Sequence, residues 1–107
     1  MTMRDDKAGA ELLHLAGEFI AREAGRSTLI TPTQVNFGKS LKTAHILISV
    51  YPKEQGEHAV AFLKRNSKEF REFLKKHGRF SVLPFVTFDI DYGEQNRQRL
   101  DELSKEL

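Results

Sequence analysis

The sequence predicts an α+β domain in which a three-stranded sheet is covered on one face by helices. Three observations predict it. Apolar residues at helical spacing flank and separate three stretches that alternate or are rich in β-branched residues. Two of those strand-like stretches are joined by only a few residues, which makes them an antiparallel hairpin. The third follows a long helical segment, so the helices must pack on the sheet that the strands share. The order is helix, strand, strand, helix, helix, strand, helix.

Ala8 to Ala24 forms the first helix, because Leu12, Leu13, Ala16, Phe19 and Ile20 fall on one apolar stripe. Gly25 follows where a left-handed terminating residue is favoured. Thr28 to Phe37 alternates, which places Leu29, Thr31, Thr33, Val35 and Phe37 on one face. Pro32 has no N–H to give a ladder, so it marks an edge strand or a bulge. The turn GKSL (38–41) leads into Lys42 to Tyr51, the strongest strand, with Ala44, Ile46, Ile48 and Val50 on its buried face. Pro52 closes it.

From Gln55 to His77 the apolar residues Ala59, Val60, Leu63, Phe70, Phe73 and Leu74 keep a period near 3.6. That phase lands on Asn66 and Ser67 in mid-helix. Polar side chains of this kind compete with the helix for backbone hydrogen bonds, so two shorter helices separated by a break are expected. Gly78 ends the second. Val82 to Asp91 is a third strand with Val86, Phe88 and Ile90 facing in, and Glu94 to Leu107 a short closing helix carrying Leu100, Leu103 and Leu107.

The 107 residues suit one domain spanning 1–107, with roughly two-thirds of its unfolded surface buried. Hydrophobic content of 39% with 30% charge describes a globular chain rather than a disordered one. The chain has no cysteine, which removes disulfides and thiolate metal sites and fits a reducing compartment. MTMRDDKAG lacks the apolar run of a signal peptide, and no segment reaches the ~20 apolar residues of a membrane span. A cytoplasmic protein with no membrane partner is expected.

Net charge is only +2, but it is segregated. Lys64 to Arg79 holds seven basic and two acidic residues, a local +5, while the remaining ten basic and thirteen acidic residues sum to −3. Lys64, Lys68, Arg71 and Lys75 recur at i, i+4, i+7 and i+11, the spacing of one helix face. Arg65 and Lys76 flank them, Arg79 follows in a loop, and Arg26, Lys39 and Lys42 sit in other loops that could extend the patch, though spacing does not place them. The plain alternative is a solvated helix face softened by Glu69 and Glu72. Localisation of the charge, and its position across the suspected break at Asn66-Ser67, where a helix start offers N–H donors to anions, favour a phosphate-binding surface. Tyr51 and Phe85, on outward strand positions, are candidate stacking residues for single-stranded RNA; Phe70 and Phe73 belong to the core.

Catalytic signals are weak. His14, His45, His58 and His77 have no metal-ligand spacing, so no metal and no cofactor are expected. Asp89 and Asp91 alternate on one face of a strand and could coordinate a cation or form an acid–base pair, yet such a pair at a strand end is more simply its solvated face. Phosphate-binding loops and nucleophile elbows are missing.

The stretch ITPTQVNFGKSLKTAHILISVYP (30–52) resembles the hairpin of the ribosome-binding factor A family: a Thr-flanked strand, a turn ending in Leu-Lys, and a Val/Ile-rich strand ending in Ser-Val. Arg71 with Leu74 is similar to its Arg-x-x-Leu. Arg79, Pro84, Phe88 and Asp91 match its arginine, proline and Phe-x-x-Asp strand, and Arg97, Leu100 and Leu103 resemble its closing helix. The likeness runs from about Glu11 to Leu107. It departs at Asn66-Ser67-Lys68, where the family usually has Ala-x-Gly, and the long polar C-terminal tail of some members is not expected. The resemblance implies a type-II KH-like fold of αββααβ topology. It also implies a non-enzymatic factor that binds the free small (30S) ribosomal subunit through 16S rRNA, assists late maturation and 5′-end rRNA processing, and is associated with cold-shock growth.

The expected function is therefore an RNA-binding assembly factor, a monomer with no small-molecule substrate. Its expected RNA-binding residues are Lys64, Arg65, Asn66, Ser67, Lys68, Arg71, Lys75, Lys76, Arg79, Lys39 and Lys42. The alternative is a protein-binding adaptor whose basic helix face meets an acidic partner.

Overall fold

The computed structural model describes residues 3–25, 27–94 and 96–97. Its elements are α1 (Met3–Glu23), β1 (Leu29–Phe37), β2 (Thr43–Tyr51), α2 (Gly56–Arg65), α3 (Ser67–His77) and β3 (Phe85–Ile90), with single 3-10 turns at Lys39–Leu41 and Lys53–Gln55. Residues 92–94 and 96–97 are helical again. Leu100, Leu103 and Leu107 of the expected closing helix, and Arg26, lie outside the described residues. The αββααβ order is that of a KH-like α+β fold, as expected.

The strand order is β1-β2-β3, so β2 is central. It pairs antiparallel with β1 and parallel with β3, the parallel step being bridged by α2 and α3. The four expected inward residues of β2, Ala44, Ile46, Ile48 and Val50, are all buried. Leu12, Leu15, Ala16, Phe19 and Ile20 of α1 close over them; Leu15 replaces the expected Leu13, which is half-buried. Phe70 is the hub of this core. Its ring lies 5.1 Å from Phe19 and 5.5 Å from Phe88, tying α3 to α1 and to β3 in tilted aromatic contacts. Burying such a side chain stabilises by about 1.5–3 kcal/mol.

The face of β1 differs from the simple alternation. Register passes from Pro32 opposite Ile48 to Gln34 opposite Leu47, leaving Thr33 as the extra residue of a β-bulge. Leu29, Thr31 and Thr33 therefore face away from the helices, while Val35 and Phe37 pack on the core together with Ile30. Pro32 thus sits both on an edge strand and beside a bulge. The third strand is shorter than expected, because residues 82–84 are loop and Val82 is exposed.

The connection between β1 and β2 is tight. Ser40 and Leu41 both adopt left-handed φ, 57° and 59°, a conformation costing roughly 1–2 kcal/mol per non-glycine residue. Gly38 precedes them, and any Cβ there would run into the Thr43 hydroxyl. At the end of α3, a Cβ on Gly78 would press on the Phe80 ring and on the Leu74 carbonyl at 2.8 Å, so glycine allows the chain to turn back toward β3.

Candidate nucleic-acid interface

The helical run breaks where the apolar phase fails. Asn66 has φ −101° and ψ 19°, outside helical geometry but not left-handed. Its side-chain Nδ2 donates to the Phe62 carbonyl at 2.8 Å, closing the end of α2, and no side chain caps the start of α3. Its own carbonyl accepts from Phe70 N–H, so α3 starts at once in a new direction.

That break wraps the two helices around one side of an open cleft of about 440 Å³ against β3. Lys64, Ser67, Lys68 and Arg71 line the helical wall; Pro84, Phe85, Val86 and Thr87 line the strand wall; Phe70, Leu74 and Phe88 lie beneath. Every charged side chain lining the cleft is a cation. Among the described residues, no carboxylate comes within ion-pairing distance of Lys64, Lys68 or Arg71. Arg71 reaches across, its Nη1 donating to the Pro84 carbonyl at 3.5 Å. Phe85 is 66% exposed, and its N–H donates to the Lys42 carbonyl at 2.9 Å, which fixes the backbone beneath the ring. A cationic wall facing apolar and aromatic surface can hold phosphates on one side and unstacked bases on the other.

The remaining expected residues fall elsewhere. Lys75 is not on the cleft and pairs with Glu72 at 3.4 Å, an exposed pair of little energetic weight. Arg65 and Lys76 are exposed outside it, and Asn66 acts through the break. Arg79 borders a neighbouring hollow with Lys7, Ser40 and Leu41, where its backbone N–H donates to Glu11 Oε1 at 2.8 Å. Pro84 lines both hollows, so Arg79 and the exposed turn residue Lys39 sit toward the β1–β2 end, with Lys42 joined to the cleft through Phe85. Tyr51 is 61% exposed at the far end of β2, away from the cleft.

Of the apolar half of the cleft, sequence reasoning found only Phe85, as a candidate stacking residue. Pro84, Val86 and Phe88 read only as strand and core residues, and nothing in their spacing says which helix faces them. The outward Phe85 beside a proline was the available signal.

Asp89 and Asp91 do not form an acid–base pair. Asp89 is exposed, whereas Asp91 accepts hydrogen bonds from the Thr33 hydroxyl and, at 3.0 Å, from the Glu94 N–H. The Thr33 hydrogen bond, and after it the Glu94 backbone donor, hold the Asp91 carboxyl below its ordinary value; burial opposes them and the Gly93 N–H adds a lesser pull downward. Among the described residues no group of histidines and carboxylates could hold a metal ion, and no helix is long and apolar enough to cross a membrane.

No family model matches the sequence, and no curated protein matches it. Solved structures do. The crystal structure of ribosome-binding factor A from Thermus thermophilus superposes with a TM-score of 0.67 at 22% identity, over 77% of this chain and 90% of that one. The solution structure of a Thermotoga maritima protein, provisionally described as a ribosome binding factor A, gives 0.62 at 25% identity, over 77% of this chain and 83% of that one. The chain has the fold of ribosome-binding factor A, and its structural neighbours support the family that its sequence resembles.

Proposed function

We propose that this chain, as a single domain over 1–107, is a ribosome assembly factor that binds RNA of the free small subunit. In this reading it assists late maturation and processing of the 16S rRNA 5′ end in the cytoplasm without catalysing a step itself. The observation that carries the reading is the cleft, in which three cations without a carboxylate partner among the described residues face an apolar strand wall, within a fold shared with ribosome-binding factor A. Lys64, Lys68 and Arg71 would meet successive phosphates and fix the strand's register, while Phe85 and the β3 backbone face the bases. Arg79, Lys39 and Lys42 would extend the contact toward the hairpin turn, with Arg65, Lys75 and Lys76 adding to the long-range field.

Three phosphate contacts on a single strand give a log–log salt dependence of affinity with slope about −2. The test is sedimentation of the protein with ribosomal particles through a sucrose gradient, with and without nuclease. Travel with free small subunits, lost on RNA digestion and weakened by salt at that slope, is the expected result. Association that survives nuclease and ignores salt would replace this reading with the adaptor that meets an acidic protein.

A further inference from the structure

Lys64 belongs to two clefts. On one side it lines the cationic cleft; on the other it borders a second open hollow of about 460 Å³ between α2 and the end of β3. The floor of this hollow is apolar, made by Val60, Ala61 and Ile90. At its border stands Tyr92, 69% exposed, in the turn just past β3 that the Asp91 carboxylate caps by accepting from the Glu94 N–H. The charge differs from that of the first cleft: Lys53 and Lys64 are joined there by Glu57 and Asp89.

Those four groups restrict what can enter. Two carboxylates repel phosphate, so a sugar-phosphate chain passing here must keep to the Lys53 and Lys64 side. The carboxylates are acceptors only, and they suit the donor edge of a base carrying an exocyclic amine. Asp89 Oδ1 already accepts from the Ile90 N–H at 2.8 Å, which leaves its other oxygen for a ligand. An exposed tyrosine beside an apolar floor offers a stacking platform at low entropic cost.

We propose that this second cleft takes an unpaired base of the same RNA strand. The base stacks on Tyr92 with its donor edge toward Glu57 or Asp89, and Lys64 carries the phosphate shared with the first cleft. The strand then runs along β3 from Phe85 to Tyr92, and the site prefers adenine, cytosine or guanine to uracil, whose O2 and O4 would face the carboxylates. This inference rests on the RNA-binding reading and extends its footprint.

The test uses the full chain and labelled single-stranded RNAs of roughly four and roughly eight nucleotides, titrated by fluorescence anisotropy. Wild type should bind the longer strand more tightly. Tyr92→Ala should weaken binding of the longer strand about tenfold and leave the shorter one unchanged, while Tyr92→Phe keeps the wild-type pattern. Replacing the bases of the added segment with uracil should remove part of the advantage. Equal affinity for the two strands, or equal loss on both in Tyr92→Ala, overturns the second cleft alone. If wild type binds neither strand, the RNA reading fails and this inference with it.

Discussion

Two elements of this molecule are interrupted, the helical run at Asn66 and the edge strand β1 at Thr33, and the two interruptions do different work. The break at Asn66 separates α2 from α3 and puts Lys64, Lys68 and Arg71 around a cleft. The bulge at Thr33 turns a hydroxyl over the opposite sheet face, where it donates to Asp91 beyond the end of β3. One interruption shapes the cleft proposed to meet RNA. The other ties the edge strand β1 to the chain just beyond β3, across the central strand. If this division holds, substitutions of the cations around the first should change binding with little effect on stability, whereas substitution of Thr33 at the second should change stability and leave the cleft intact.

The largest effect belongs to the cleft. Reversing Lys68 and Arg71 to Glu together should lower affinity for single-stranded RNA by about 100-fold at low salt and flatten the salt slope by about 1.4. Both side chains are exposed, so the thermal midpoint should stay near wild type. Anisotropy titration beside thermal unfolding measures both quantities, and an unchanged affinity would take these residues out of the interface.

Asn66→Ala attacks the break itself. It removes the hydrogen bond to the Phe62 carbonyl and inserts the strongest helix former where the chain changes direction. Stability should fall by about 1 kcal/mol. RNA affinity should fall severalfold, because Lys64 and Lys68 no longer share one cleft wall. A variant that loses stability but binds normally would show that the cleft survives without this asparagine.

The same pair of interruptions shows how far the sequence could be read. The break was legible because it sits in a long periodic segment: the stripe from Ala59 to Leu74 has nowhere to put Asn66 and Ser67 except the core. The bulge was legible only as a possibility at Pro32, because a single inserted residue in a nine-residue strand leaves alternation on both sides of it. Alternation extrapolated through Thr33 therefore put Leu29 with Val35 and Phe37, whereas Leu29 is 66% exposed. For the site, charge spacing found the helical wall, but spacing alone could not tell that Lys75, one turn beyond Arg71 on α3, lies outside the cleft. The strand wall is a long-range pairing between α3 and the chain after Gly78, which local periodicity does not encode.

Thr33→Val tests the bulge. It keeps the β-branched shape and deletes the hydroxyl that reaches Asp91 and lies 3.2 Å from the Leu47 carbonyl. Stability should drop by about 1 kcal/mol, since the bond is to a charged acceptor but only half-buried. Affinity for the RNA of roughly four nucleotides, which does not reach Tyr92, should be unchanged. Chemical unfolding and anisotropy on the same preparation give the two numbers, and a binding defect here would join the two regions that the structure separates.

The smallest effect is in the acid dependence of that variant. Hydrogen bonding from Thr33 lowers the folded-state value of Asp91 below its unfolded one of about 3.9. The unfolded chain therefore takes up a proton more readily, and the contribution of Asp91 is present above that pH and lost as pH falls through the folded value. Removing the Thr33 hydroxyl removes the first cause of the shift. The stability gap between wild type and Thr33→Val should thus be full at neutral pH and narrow below about pH 4 as Asp91 becomes protonated in both. Urea unfolding at the two pH values measures the gap. A gap that stays constant into acid would mean that the hydroxyl stabilises the bulge through Leu47 rather than through the charge on Asp91.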